Sequence, residues 1–280
     1  MISSNLSSPH APHVPVSDGQ VTLVLPCFNE AARLDRTALS RALTDMPWLH
    51  LLCVNDGSTD ATDLLLEQLR SEWPTRIQVL TLTRNSGKAE AVRRGILVAS
   101  MQTPLCGFWD ADLAAPLSDL GSLRAIFERD AHVEWVWGIR LRALGRQISR
   151  TALRHYLGRL FATVASAVLA VDAYDTQCGA KLFRSSSLLR GVLSEPFQSR
   201  WIFDVEMLVR ANALQQYANL RGVDYVVYEA PLSTWQHRPG SKVRPTDFVR
   251  AFIDLFRIRN ARAHWRRPMP AHSANERVTR

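Results

Sequence analysis

Apolar and polar positions alternate along the first half of the chain with two different periods. Short unbroken apolar runs at Val21–Leu25, Leu49–Asn55, Ile77–Leu82, Leu105–Trp109 and Val133–Gly138 each predict a strand covered on both faces. Between them, Ala31–Leu43, Ala61–Leu69, Ala89–Ala99 and Leu117–Arg129 carry apolar residues at helical spacing. Strand–helix alternation of this kind gives an α/β fold, a Rossmann-like and mostly parallel sheet flanked by helices. The second half is less regular. Arg150–Val171 predicts a helix, basic at its start and apolar later. A short strand is expected at Leu182–Phe183, a helix from Phe203 to about Tyr217, and a strand at Val223–Tyr228. Asp247–Trp265 predicts a basic amphipathic helix, with Phe248, Phe252, Leu255, Phe256 and Ile258 as its apolar residues.

In parallel sheets ligands bind at the carboxyl ends of strands, near a topological switch point. The polar signals of this chain fall there. Pro26-Cys27-Phe28-Asn29-Glu30 follows the first strand and Asn55-Asp56-Gly57-Ser58-Thr59-Asp60 the second. Arg84-Asn85-Ser86-Gly87-Lys88 follows the third, and Asp110-Ala111-Asp112 the fourth. Each has a plain structural reading: Glu30 in a helix first turn, Ser58, Thr59 or Asp60 as an N-cap, Gly87 as a turn glycine, Asp110 and Asp112 as a polar strand end. Four such turns converging on one sheet edge point instead to a binding site. Two carboxylates two residues apart, where a buried strand emerges, suit a hard divalent ion, and Mg²⁺ or Mn²⁺ bridges carboxylate to phosphate.

Composition adds a charge bias. The net charge is +8, from 31 arginines and three lysines against 26 acids. Arg238–Arg267 holds nine Arg or Lys against Asp247 and Asp254, and Arg140–Arg159 has six arginines and no acid. Such blocks suit phosphate-rich partners or an anionic membrane surface, or simply a solvated face. The lysines, Lys88, Lys181 and Lys242, each sit in a small-residue setting: Ser86-Gly87-Lys88, Gly179-Ala180-Lys181 and Gly240-Ser241-Lys242. Ammonium is a compact point charge and guanidinium a broad fork, so all three are expected to face one anionic site. Four scattered cysteines without C-x-x-C spacing predict reduced thiols, neither a disulfide framework nor a zinc site, in a cytoplasmic protein. Residues 1–18 lack the basic and apolar regions of a signal peptide and predict a disordered leader. The expected division is a leader (1–18), one domain (19–244), the amphipathic helix (245–268) and a disordered tail (269–280). No apolar run approaches the ~18 residues of a spanning helix; Leu160–Val171 falls short. No nucleic-acid-binding motif is visible. A nucleotidyltransferase would bring a Gly-rich phosphate loop after the first strand, where this chain has Pro26–Glu30.

Together the turns resemble glycosyltransferase family 2, the inverting enzymes of the GT-A fold. The matching pieces are Pro26-Cys27-Phe28-Asn29-Glu30, Asn55 to Asp60, Gly87-Lys88 before Ala91-Val92-Arg93-Arg94-Gly95, and Asp110-Ala111-Asp112. Asp110-Ala111-Asp112-Leu113-Ala114-Ala115-Pro116, Asp175-Thr176-Gln177-Cys178-Gly179, Phe203-Asp204-Val205-Glu206 and Gly240-Ser241-Lys242 are similar to the dolichyl- and polyprenyl-phosphate β-glucosyltransferase branch. Three departures stand out: Asn55 where the family usually has Asp, Ala180 in place of a usual Phe, and no membrane anchor of the kind common in the branch.

The resemblance implies a UDP-sugar donor, UDP-glucose first, with Mg²⁺ or Mn²⁺. Asp112 would hold the metal, with Asp110 on the ribose or the metal. Pro26, Phe28, Glu30, Asp56 and Ala111 would line the nucleotide-sugar site, with Lys88 adding charge. A lipid-phosphate acceptor, met at the inner face of a membrane, would need cations and no base: Arg140, Arg146, Arg150, Lys181, Arg238 and Lys242, with Asp175 and Gln177 nearby. A soluble small-molecule acceptor attacking through a hydroxyl would need a general base, for which Asp204 and Glu206 are candidates and Asp175 a third. These acids also suit a helix first turn.

Overall fold

The computed structural model describes residues 19–141, 147–148, 173–236 and 245–266. The expected leader, the tail and the helix at Arg150–Val171 lie outside these residues, as do Arg146, Arg150, Arg238 and Lys242.

The first half follows the apolar pattern closely. Strands β1 (Val21–Cys27), β2 (Leu49–Asn55), β3 (Ile77–Thr81) and β4 (Leu105–Trp109) alternate with helices α1 (Arg36–Asp45), α2 (Thr62–Glu72) and α3 (Lys88–Ala99). A 3₁₀ turn, Leu117–Asp119, then leads into α4 (Leu120–Arg129), and β5 (Trp135–Ile139) follows. Helix α1 starts later than its apolar period suggests. Glu30 closes a turn by accepting from the Arg33 and Leu34 amides, and Asp35 caps the helix by accepting from Ala38 N at 2.9 Å.

The remaining elements are β6 (Gln147–Ile148), β7 (Ala180–Arg184), α5 (Ser187–Val192), α6 (Phe203–Tyr217), α7 (Val223–Val226), β8 (Val227–Pro231), β9 (Thr234–Trp235) and α8 (Pro245–Ala261). The strand expected at Val223–Tyr228 is split. Gly222 starts a short helix that ends at Val226, and extended pairing begins only at Val227, where β5 offers an edge.

Seven strands form one sheet in the order β3-β2-β1-β4-β7-β5-β8. All neighbours pair in parallel except β7, which runs antiparallel to both β4 and β5. The chain winds outward from β1 to β3 and then crosses to β4 on the other side of β1, so the switch point lies between β1 and β4. Because β7 is reversed, its first residues reach the same edge as the last residues of β1, β2, β4 and β5. Trp109 pairs with Ala180 and Phe108 with Lys181.

Each sheet face carries its own core. Leu23, Leu25, Leu51 and Cys53 pack with α1, α2 and α4. Val24, Leu52 and Val54 share the other core with α3, α5 and α6. Helix α6 is buried from Phe203 to Gln215. It therefore holds an interior ion pair, Glu206–Arg210 at 2.6 Å, with Arg210 also donating to the carbonyls of Val192, Glu195 and Pro196. Helix α8 packs on this core: its Ala251, Leu255 and Ile258 lie with the residues of α6. All four cysteines are buried thiols, none of them in a disulfide.

Candidate active site

The site is assembled at the strand ends beside the switch point. After β1, Asn29 takes a left-handed conformation (φ 51°), and its side-chain oxygen accepts from Thr59 N at 2.8 Å. Asn29 N donates to Ser58 Oγ and Glu30 N to Thr62 Oγ1, which bolts the β1 turn to the β2 turn. Glu30 is buried, with Arg33 3.5 Å away. Pro26 remains inside β1, and Phe28 is half-buried just beyond it.

The β2 turn explains Asn55. Its amide carbonyl accepts from Ser58 N at 3.1 Å, and its amide nitrogen donates to Asp63 Oδ1 at 2.8 Å. A carboxylate could do only the first. Asp56, expected to meet a base, is buried and also holds the β3 turn: its two oxygens accept from Ser86 N at 2.7 Å and Gly87 N at 2.8 Å. Each oxygen keeps a second lone pair. Gly87 starts α3 at φ 93°, a conformation L side chains rarely adopt, and Arg200 crowds the place a Cβ would take. This turn aims Lys88 at the β4 end.

There, Lys88 Nζ stands 2.5 Å from Asp110 Oδ1. Asp112 accepts from Ala114 N at 3.0 Å and faces Arg33 at 3.5 Å. Trp109 Nε1 donates to Ala115 O at 2.8 Å and pins the turn from below. The Ala111 methyl is buried in the core, so its backbone alone can meet a donor. Burial opposes the Lys88 charge, but Asp110, Asp204 and Asp112 outweigh it and hold its pKa above the ordinary lysine value.

From the other half, Gly179 presses on Asp110: a Cβ at 179 would lie 2.0 Å from Asp110 Oδ2. Lys181 is wholly buried, contrary to its expected place against an acceptor. Its ammonium spends three donors on Thr176 O (2.8 Å), Cys178 O (2.7 Å) and Asp204 Oδ1 (2.6 Å). Lys88 and Lys181 therefore do not share one anionic surface: Lys88 faces the site, and Lys181 supports it from within. Burial pushes the Asp204 carboxyl up despite the opposing pull of Lys181 and Lys88. Glu206 points away, buried and saturated by Arg210 and the Gln198 and Ser199 amides. At the end of β5, Arg140 forks onto Asp175 through Nε and Nη2, both at 2.7 Å, with Trp235 5.3 Å from the guanidinium. Glu229 holds the Tyr174 and Asp175 amides. Gln177 is half-buried in the same loop.

Arg33, Gly179 as packing surface, Arg200 and Glu229 were not visible as site residues in the sequence. Glu229 lies mid-strand with no local signal, and Arg33 is one arginine among 31.

A family model described as glycosyl transferase family 2 matches residues 22–190. The chain belongs to this family. As a family 2 glycosyltransferase it is 30% identical to a dolichyl-phosphate beta-glucosyltransferase of Trichomonas vaginalis over 255 residues, covering 86% of this chain and 71% of that one. It is 31% identical to the Drosophila melanogaster enzyme of the same name, over 85% and 74% of the two chains. The glycosyltransferase also superposes on glucosyl-3-phosphoglycerate synthase of Mycobacterium tuberculosis, solved with Mn²⁺, UDP-glucose and phosphoglyceric acid, with a TM-score of 0.60 at 17% identity over 88% and 80% of the chains. That likeness establishes the shared GT-A fold.

Proposed function

We propose that this glycosyltransferase moves a hexose, glucose, from a UDP-sugar to a polyprenyl-phosphate-type acceptor. One observation carries the choice of acceptor. Each of the three carboxylates able to act as general base is matched to a cation: Asp204 to Lys181, Glu206 to Arg210, and Asp175 to Arg140. A hydroxyl acceptor needs a base to take its proton, whereas a phosphate is already anionic and attacks without one. The dolichyl-phosphate relatives support the same reading.

The donor half follows from the switch-point turns. Asp110 and Asp112 fit a Mg²⁺ or Mn²⁺ ion: both are partly exposed carboxylates on one turn, and such ions use one or two carboxylates plus substrate phosphates. The metal supplies positive charge where the leaving diphosphate develops its negative charge. Lys88 adds its ammonium on the same side. The turns after β1 and β2, carrying Phe28, Glu30 and Asp56, form the wall for the nucleoside. Arg140, fixed by Asp175 and Trp235, stands at the acceptor side of the same edge and orients the incoming phosphate.

Among the described residues no helix is long and apolar enough to cross a membrane. Helix α8 exposes Arg250, Ile253, Phe256, Arg257 and Arg259, a surface suited to resting on anionic lipid, where a lipid phosphate would be met.

The test is transfer of labelled glucose from UDP-glucose with Mn²⁺ to a short-chain polyprenyl phosphate, followed by solvent extraction. Labelled lipid, abolished by EDTA, is expected. Label only on soluble alcohols would refute the acceptor assignment.

A further inference from the structure

Asp110 gives one carboxylate oxygen to Lys88 and backs the other against the opposite loop. Oδ1 is 2.5 Å from Lys88 Nζ. Oδ2 lies against Gly179, where a Cβ would stand only 2.0 Å away, and the Asp110 amide is tied to Gly179 O at 2.8 Å. With Oδ2 backed against that loop, a divalent ion reaching Asp110 through Oδ1 meets the oxygen that Lys88 holds. Two cations crowded on one oxygen repel each other.

Lys88 has few places to go. Phe108 and Phe203 lie under its ammonium, at 5.7 and 6.0 Å from their ring centres. The neighbouring carboxylates have cations of their own: Asp204 has Lys181 at 2.6 Å, and Asp112 has Arg33 at 3.5 Å. The lysine side chain is 42% exposed, so its free path leads outward, to the side from which a nucleotide would come.

We propose that Lys88 is a placeholder cation. It occupies Asp110 until a nucleoside diphosphate offers its ammonium another anion, and only then yields the carboxylate to the metal. Metal and nucleotide are thereby coupled through this chain's own lysine, in addition to any contact they make with each other. Binding linkage is reciprocal, so the lysine also raises nucleotide affinity when metal is present. The inference rests on Asp110 and Asp112 forming the metal–nucleotide site.

Mn²⁺ titrations followed by electron paramagnetic resonance test it, on wild type, Lys88→Gln and Lys88→Arg, with and without UDP. Circular dichroism establishes that each variant is folded. Without UDP, Lys88→Gln should bind Mn²⁺ about tenfold tighter than wild type or better, within the usual range of coupling between sites. UDP should then improve its Mn²⁺ affinity less than it improves that of wild type. Lys88→Arg, which keeps the charge, should stay close to wild type. If wild type binds Mn²⁺ with UDP but Lys88→Gln binds it no tighter without UDP, the placeholder role is overturned and the site reading stands. If neither protein binds Mn²⁺ even with UDP, the site reading fails and takes the inference with it.

Discussion

A methyl group at position 179 would stand 2.0 Å from Asp110 Oδ2. Gly179→Ala should therefore leave the fold intact and displace Asp110. Turnover is expected to fall about 10²-fold, the usual cost of an ångström-scale misplacement, with little change in melting temperature. Kinetics and thermal unfolding on the same preparation check this. Asn55→Asp should bring two carboxylates together at the 2.8 Å contact with Asp63, at a cost of about 1–3 kcal/mol read from denaturant unfolding. Lys181→Met should leave Asp204 buried without its counter-charge, a loss of about 3–5 kcal/mol at neutral pH. The pH dependence has a definite sign. The folded-state pKa of Asp204 is raised, so between its ordinary and raised values the folded protein holds more proton than the unfolded one. Stability from this group falls as pH rises through that window, and the variant should recover part of its loss in acid. The carboxylate pair at 110 and 112 was legible in the sequence because it is local. Lys181 was not: its partner Asp204 is 23 residues away, and only the packing of α6 on the sheet brings them together.

At the scale of elements, the apolar period located most helices and strands but not what they face. Helix α8 shows the difference. Its amphipathic pattern suits a membrane face or a packed face equally, and the structure turns Leu255 and Ile258 into the α6 core while Phe256 is left 55% exposed. Leu255→Ala should cost about 2–5 kcal/mol, whereas Phe256→Ala should stay within about ±0.5 kcal/mol. Matched unfolding curves distinguish the two, and the reverse order would mean that the helix is docked by its other face. The helix at Val223–Val226 was hidden for a related reason. Val223, Tyr225, Val226, Val227 and Tyr228 all favour strands, but a strand needs an edge, and β5 reaches only from Val227 onward.

Across the whole molecule, the buried thiols give a measure of integrity. Burial pushes Cys53, Cys106 and Cys178 up to about 12, so at pH 8 none carries useful thiolate. A disulfide reagent should label the native chain only as fast as it opens, and all four cysteines should react on denaturation; rapid labelling of the folded protein would contradict the described packing. The α/β class and the site edge were legible because four parallel strands each end in a polar turn. The reversal of β7 was not, since an apolar run reads the same in both directions. That reversal has a consequence for how such chains can change in length. Side chains alternate along a strand, so a slip of one residue between β4 and β7 would move Lys181 to the opposite face and pull Gly179 off Asp110. The β4–β7 ladder acts as an indexing rail that aligns the two halves of the molecule. A single added or lost residue within Ala180–Arg184 resets every one of these contacts at once. Length variation among relatives should therefore spare this strand.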